Sequence, residues 1–147
     1  DEPLIDPNLI NELAMFTINK NADFTTVAHK IDEDDIFNPN VVKVVLDKDS
    51  NALYFSRSPI PFYRDGFVEI SKPLKLPIQL NLLRHIGIYG YSVKFLKNYN
   101  QLPISPIEQV EMLEQLRVLY NGHKIAVLVS DIIPESGVDT LEDLQRV

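Results

Sequence analysis

The chain has 147 residues, 45% hydrophobic, 9% aromatic and 24% charged, which suits one soluble globular domain with room for a sizeable core. It has no cysteine, so disulfides and thiolate metal sites are excluded; no apolar run approaches the roughly 18 residues of a membrane span, and the first residues are neither basic nor apolar as a signal peptide requires. The net charge of −7, with Lys and Arg scattered along the chain, gives no bulk attraction for nucleic acid, so a phosphate group would need local ligands or a bridging metal.

In chain order, "DPNLINELAMFTINK" predicts a helix capped by Asp6, with Pro7 in its first turn and Ile10, Leu13, Ala14 and Ile18 at helical spacing. The β-branched run "ADFTTVAHKI" predicts a strand. An acidic loop "DEDD" and the turn "FNPN" follow. "VVKVVLD" and "ALYFSR" flank "KDSN" as a hairpin, and "SPIPFYRDGF" is broken by proline. Residues 68–80 have no clean period and predict an irregular excursion. "LLRHIGIYGY" predicts a strand and "SVKFLKNY" a short helix. "SPIEQVEMLEQLRVLYNG" predicts one continuous helix, capped by Ser105, with Pro106 first, Glu108 completing a capping box and Gly122 as the stop. "KIAVLVSD" predicts a buried strand, "PESGVDT" a loop and "LEDLQRV" the start of a helix. Strands and helices alternate as in an α/β domain spanning residues 1–147.

Strand alternation puts His85, Gly87, Tyr89 and Tyr91 on one face and Ile86, Ile88 and Gly90 on the other. Two polar rings flanking a residue without a side chain make a notch for a hydroxylated ligand, or else a core His and Tyr each satisfied by a hydrogen bond. Arg57 ends a strand face with Leu53 and Phe55; its guanidinium either reaches solvent or receives a carboxylate ligand in its planar fork. In the 106–120 helix, Met112, Leu113, Leu116, Leu119 and Tyr120 form an apolar stripe, with Glu108, Glu111, Glu114 and Gln115 roughly opposite. Ile107, Val110 and Val118 are interspersed with those acids. Glu114 and Gln115 therefore either accept from sugar hydroxyls under partial cover or serve ion pairs such as Glu114 with Arg117. Asp1 and Asp139 stand at element boundaries; Mg²⁺ takes one or two such carboxylates, while Asp139 also reads as a helix cap. His29 and His123 fit no metal-ligand spacing, and no P-loop, dinucleotide fingerprint, nucleophile elbow or zinc motif occurs.

Taken in order, "DEPLI", "FNPNVVKVVLD", "ALYFSRSPIP", "LRHIGIYGY", "SPIEQVEMLEQLRVLYNG" and "GVDTLEDLQRV" resemble the 3-deoxy-manno-octulosonate (KDO) cytidylyltransferases, also called CMP-KDO synthetases. The resemblance runs over nearly the whole chain and is weakest at 66–80. It implies an α/β nucleotidyltransferase-type fold, a mixed sheet flanked by helices. It also implies a homodimer in the cytoplasm and a reaction of CTP with KDO that gives CMP-KDO and pyrophosphate for lipopolysaccharide assembly. In that pattern Asp1 and Asp139 hold Mg²⁺, while Arg57, His85, Tyr89, Glu114 and Gln115 line the sugar-acid pocket.

The same resemblance places a Gln-Gly pair, a basic phosphate loop, a cytosine pocket and the first parallel strands before "DEP". The chain accordingly reads as the C-terminal, sugar-acid-binding and dimerising part of such an enzyme, inactive by itself. "FTTVA" or "IAVLV" is then expected to form an uncovered edge. Two other readings stand beside this one: a non-catalytic KDO-binding or dimerisation module, and a sister cytidylyltransferase for another acidic sugar such as a sialic acid.

Overall fold

Helix α1 (Pro7–Lys20) opens as its sequence dictates. Asp6 is extended, its carboxylate accepts from the Asn8 amide at 2.8 Å, and Pro7 takes the first turn, where no amide hydrogen is needed. The computed structural model describes residues 5–67, 74, 76, 77 and 80–134 of the chain. Spacing alone put Ile10, Leu13, Ala14 and Ile18 inward, but α1 buries Leu9 and Leu13 and leaves Ile10 and Ile18 exposed. Only the narrow stripe of Leu9 and Leu13, one turn apart, reaches Val27 and Ile86 of the sheet.

Five strands follow: β1 (Phe24–Lys30), β2 (Lys43–Leu46), β3 (Ala52–Ser56), β4 (Leu83–Tyr91) and β5 (Ala126–Val129), in the spatial order β3-β2-β4-β1-β5. All neighbours are antiparallel except β1 and β5, so the sheet is mixed. The acidic loop is a single 3₁₀ turn at Glu33–Asp35. The expected hairpin is β2 with β3; the Asp47 carboxylate fastens its turn by accepting from the amides of Asp49 and Asn51, each at 2.8 Å. A register shift pairs Leu46 with Ala52, so Leu53 falls out of the pairing and is 60% exposed, unlike the fully buried Phe55.

The two faces of the sheet carry separate cores. On one, α1 packs against Val27 and Ile86, with Ile88 and Leu128 alongside. On the other, Phe24, Ala28, Val44, Phe55 and Leu83 meet residues of three helices: α2 (Val93–Tyr99), α3 (Pro106–Glu111) and α4 (Gln115–Tyr120). A third cluster of Ile31, Ile36, Val41, Phe67 and Leu82 closes one end. Of the two segments named as an uncovered edge, Phe24–Ala28 of β1 is buried in mid-sheet and only β5 lies at an edge. Gly90 is required by contact: a Cβ there would meet the hydroxyl oxygens of Thr25 and Thr17.

The single helix expected over 106–120 is two. Its start is as read: the Ser105 hydroxyl accepts from the Glu108 amide and Glu108 returns the bond, closing the capping box. The run then breaks at Met112, whose φ of 54° and ψ of 50° are left-handed. Helix α4 restarts with Glu114 as N-cap and Gln115 as first residue, and Gly122, at φ 81°, follows its end. The break undoes the expected stripe, because Met112 and Tyr120 are exposed while Leu113 and Leu116 are buried. Among the described residues no helix is long and apolar enough to cross a membrane.

Candidate functional site

Strand β4 supplies the first two site residues. Opposite β1, Thr26 pairs with Tyr89 and Val27 with Ile86, so β4 carries two extra residues, Gly87 and Ile88. An even insertion keeps the alternation of faces, and His85 and Tyr89 stay on the side of α3 and α4, as read from the sequence. Their ring centroids are 5.7 Å apart. Gly87 is exposed, and a Cβ there would meet nothing within 4 Å.

The turn between α3 and α4 supplies the next two. The Tyr89 hydroxyl donates to Glu114 Oε1 at 2.9 Å and lies 3.3 Å from Gln115 Oε1. Glu114 is exposed, whereas Gln115 is 1% exposed and its Nε2 is buried with no hydrogen-bond partner among the described residues. Leaving such a donor unsatisfied costs about 1–3 kcal/mol. Burial, reinforced by the Glu114 charge, pushes the Tyr89 phenol well above its usual range, so it stays a neutral donor. Burial alone pushes His85 down to about 3, leaving a neutral imidazole at physiological pH.

Among the described residues the Arg57 guanidinium meets no carboxylate and is held by backbone carbonyls. Its Nε donates to the Glu111 carbonyl at 2.7 Å, Nη1 to the Pro39 carbonyl at 3.0 Å, and Nη2 lies 3.5 Å from the Met112 carbonyl. Carbonyl oxygens orient the guanidinium without neutralising it, so its charge is available to an anion. Helix α3 thus ends on Arg57, and the turn it begins carries Glu114 and Gln115.

Two residues that the sequence reading did not assign to the site hold Arg57 in place. Glu111 accepts from Ser56 Oγ at 2.6 Å and from the Arg57 amide at 2.9 Å. Lys43, fully buried, donates to the carbonyls of Asn38, Val41 and Arg57 at 2.9, 2.7 and 2.6 Å. Burial lowers its pKa, and the three carbonyls take up its three donors. A single Lys between valines in "VVKVV" is a visible signal of a buried, saturated ammonium; nothing local marks Glu111. The ion pair suggested for Glu114 with Arg117 forms instead between Arg117 and Glu108, with Nη2 2.5 Å from Oε1. The pair holds the Glu108 carboxyl below its ordinary range, and Glu114 is left to Tyr89.

Asp1 and Asp139 lie outside the described residues. Among the described residues there is no group of three or more His, Asp or Glu able to hold a metal ion.

Comparison with known proteins bears on the fold and the family. A family model described as "Cytidylyltransferase" matches residues 1–125. The 3-deoxy-manno-octulosonate cytidylyltransferases of Herminiimonas arsenicoxydans and Neisseria meningitidis serogroup C (strain 053442) are 55% and 49% identical to the chain, covering all of it and 58% of each relative. A solved structure of CMP:2-keto-3-deoxy-manno-octonic acid synthetase complexed with CTP matches with a TM-score of 0.85 and 37% identity, over 99% of this chain and 56% of that one. The chain therefore spans a little over half the length of the relatives it matches. The mixed sheet flanked by helices is of the nucleotidyltransferase type. A family match over most of the sequence, on this sheet, makes the chain a member of the cytidylyltransferase family.

Proposed function

We propose that the chain forms the acidic-sugar side of an enzyme that transfers the cytidylyl group of CTP to KDO, giving CMP-KDO and pyrophosphate for lipopolysaccharide assembly. The observation that carries this reading is the buried Gln115 Nε2, unpartnered among the described residues, beside the hydroxyl of Tyr89 and the carboxylate of Glu114. A polyhydroxylated ligand supplies the missing acceptor to Gln115 and donors to Glu114. Arg57, oriented by carbonyls and carrying its full charge, suits the carboxylate of a sugar acid. The names of the relatives support KDO as that acid and CTP as the donor.

In the reaction the C2 hydroxyl of KDO attacks the α-phosphorus of CTP and pyrophosphate departs. The task of these residues is to fix the sugar so that this hydroxyl meets the phosphate in line. Mg²⁺ held by Asp1 and Asp139 belongs to the same proposal; it would offset the nucleotide's charge, which a chain of net charge −7 otherwise opposes.

Pyrophosphate release by the full-length protein, given CTP and Mg²⁺ with KDO, with a sialic acid or with no sugar, tests the reading. Release is expected only with KDO, at ~1 s⁻¹ or faster. Arg57→Lys, which loses the planar fork, is expected to raise KM for KDO and leave KM for CTP nearly unchanged. Release with the sialic acid alone would transfer the site to a sister activity, and none with either would end the proposal.

A further inference from the structure

The hydrogen bonds of one buried threonine fix which nitrogen of His85 carries its proton. Thr26, on β1 and fully buried, places its hydroxyl oxygen 2.8 Å from His85 Nε2, 2.8 Å from the Ile88 carbonyl oxygen and 3.2 Å from the Ile86 carbonyl oxygen. A hydroxyl has one proton and a carbonyl oxygen can only accept. The carbonyls flank the two extra residues of β4, where the register with β1 shifts. If the hydroxyl proton pointed at the imidazole, its oxygen would face the Ile88 oxygen at 2.8 Å with no hydrogen between them, a repulsive contact. The proton therefore goes to the carbonyls, and the hydroxyl must accept from the ring.

The ring itself is firmly set. Phe55 packs against it edge-on, with centroids 4.9 Å apart, and Tyr89 lies 5.7 Å away. Because the imidazole is neutral, it has one N–H and one bare nitrogen. Nδ1 has no hydrogen-bond partner among the described residues.

We propose that Thr26 is a positioning residue of this site: by accepting from Nε2–H it holds His85 in one tautomer and leaves Nδ1 as an acceptor for a hydroxyl of the acidic sugar. The sugar half of this statement rests on the function proposed above; the tautomer half rests on the hydrogen bonds of Thr26 and the burial of the ring. With His85 Nδ1 and Glu114 accepting and Gln115 Nε2 donating, the wall is matched to a ligand with several hydroxyls and at least one free lone pair. A threonine in a β-branched run carries no sequence signal for such a role. It emerges only when the bulge brings two carbonyls and a ring to one hydroxyl.

The test has two arms. In the ¹⁵N-histidine-labelled chain, long-range ¹H–¹⁵N correlations of His85, identified by their loss in His85→Gln, should show Nε2 protonated and Nδ1 bare. A proton on Nδ1 in the wild type overturns the proposal without any substrate being added. In the full-length enzyme, Thr26→Val should raise KM for KDO roughly tenfold, the scale of one lost hydrogen bond, with KM for CTP unchanged and a mixed His85 tautomer. Thr26→Ser, which keeps the hydroxyl, should restore both readouts. An unchanged KM for KDO in a folded Thr26→Val enzyme overturns the link to the sugar. Should Thr26→Val not fold, the wild-type tautomer and the Thr26→Ser kinetics decide: a Thr26→Ser enzyme that keeps the tautomer and the KM supports the proposal, and one that loses either overturns it. A wild-type enzyme with no KDO-dependent turnover sinks the functional reading and the sugar half together, and leaves the tautomer assignment to the first arm.

Discussion

A neutral imidazole in the core makes stability depend on pH. In the unfolded chain a histidine takes up its proton as pH falls through 6.5, while His85 resists protonation in the folded state down to about 3. Between those values the unfolded state binds the extra proton, so the contribution of His85 is complete above 6.5 and is lost as pH falls. The slope from one such group approaches 1.4 kcal/mol per pH unit, an order-of-magnitude limit. Urea denaturation across that window should therefore show a shallower loss for His85→Gln than for the wild type. His29, also lowered by burial, contributes equally to both proteins, so the difference between the curves isolates His85. Superimposable pH dependences would mean that His85 takes up its proton in the folded protein as readily as in the unfolded chain. Glu108 adds a loss at lower pH: its carboxyl is depressed mainly by the Arg117 hydrogen bonds, and that stability goes as pH drops below 4.5 towards the depressed value.

At the scale of elements, the break between α3 and α4 places Glu114 and Gln115. Had the helix continued through Met112, these residues would sit elsewhere around its axis. Three ties hold the break: Glu111 to Ser56 and the Arg57 amide, Arg117 to Glu108, and the Leu113 amide to the Glu108 carbonyl. A left-handed non-glycine residue costs roughly 1–2 kcal/mol, and the Met112 side chain is 74% exposed and packs little. Met112→Gly should raise stability by about 1 kcal/mol with KM for KDO unchanged, whereas the β-branched Met112→Val should lower stability and raise that KM. Urea midpoints and steady-state kinetics check both; a destabilised Met112→Gly would show that the side chain, not the turn, matters here. Helix starts were legible because Asp6, Ser105 and Glu108 act on neighbours two or three residues away. The break was not, because the tie of Glu111 to Ser56 and the Arg57 amide comes from more than fifty residues away, at the end of β3. Period-2 alternation did place His85 and Tyr89 correctly, since the bulge inserts an even number of residues. The same reasoning misplaced Leu53, where one residue falls out of register.

For the whole molecule, the sheet order leaves β5 as an outer strand, paired only with β1 among the named strands, and Val129 on it is 46% exposed. The start of that outer edge is covered, because the Val127 amide donates to the Ser50 carbonyl and the Ala52 amide to the Ile125 carbonyl, each at 2.8 Å; the exposed apolar side chain of Val129 lies beyond this cover and favours association. The chain should sediment as a concentration-dependent mixture, and Val129→Lys should shift it towards the monomer. A strictly monomeric chain at every concentration would count against the edge as a contact. The central claim is that Arg57, His85, Tyr89, Glu114 and Gln115 together receive a sugar acid. Its most direct test is a crystal structure of the full-length protein with KDO. The expected result is a sugar oxygen within hydrogen-bond distance of Gln115 Nε2 and the sugar carboxylate on the Arg57 guanidinium. An ordered KDO bound elsewhere, with Gln115 Nε2 still unpartnered, would contradict it.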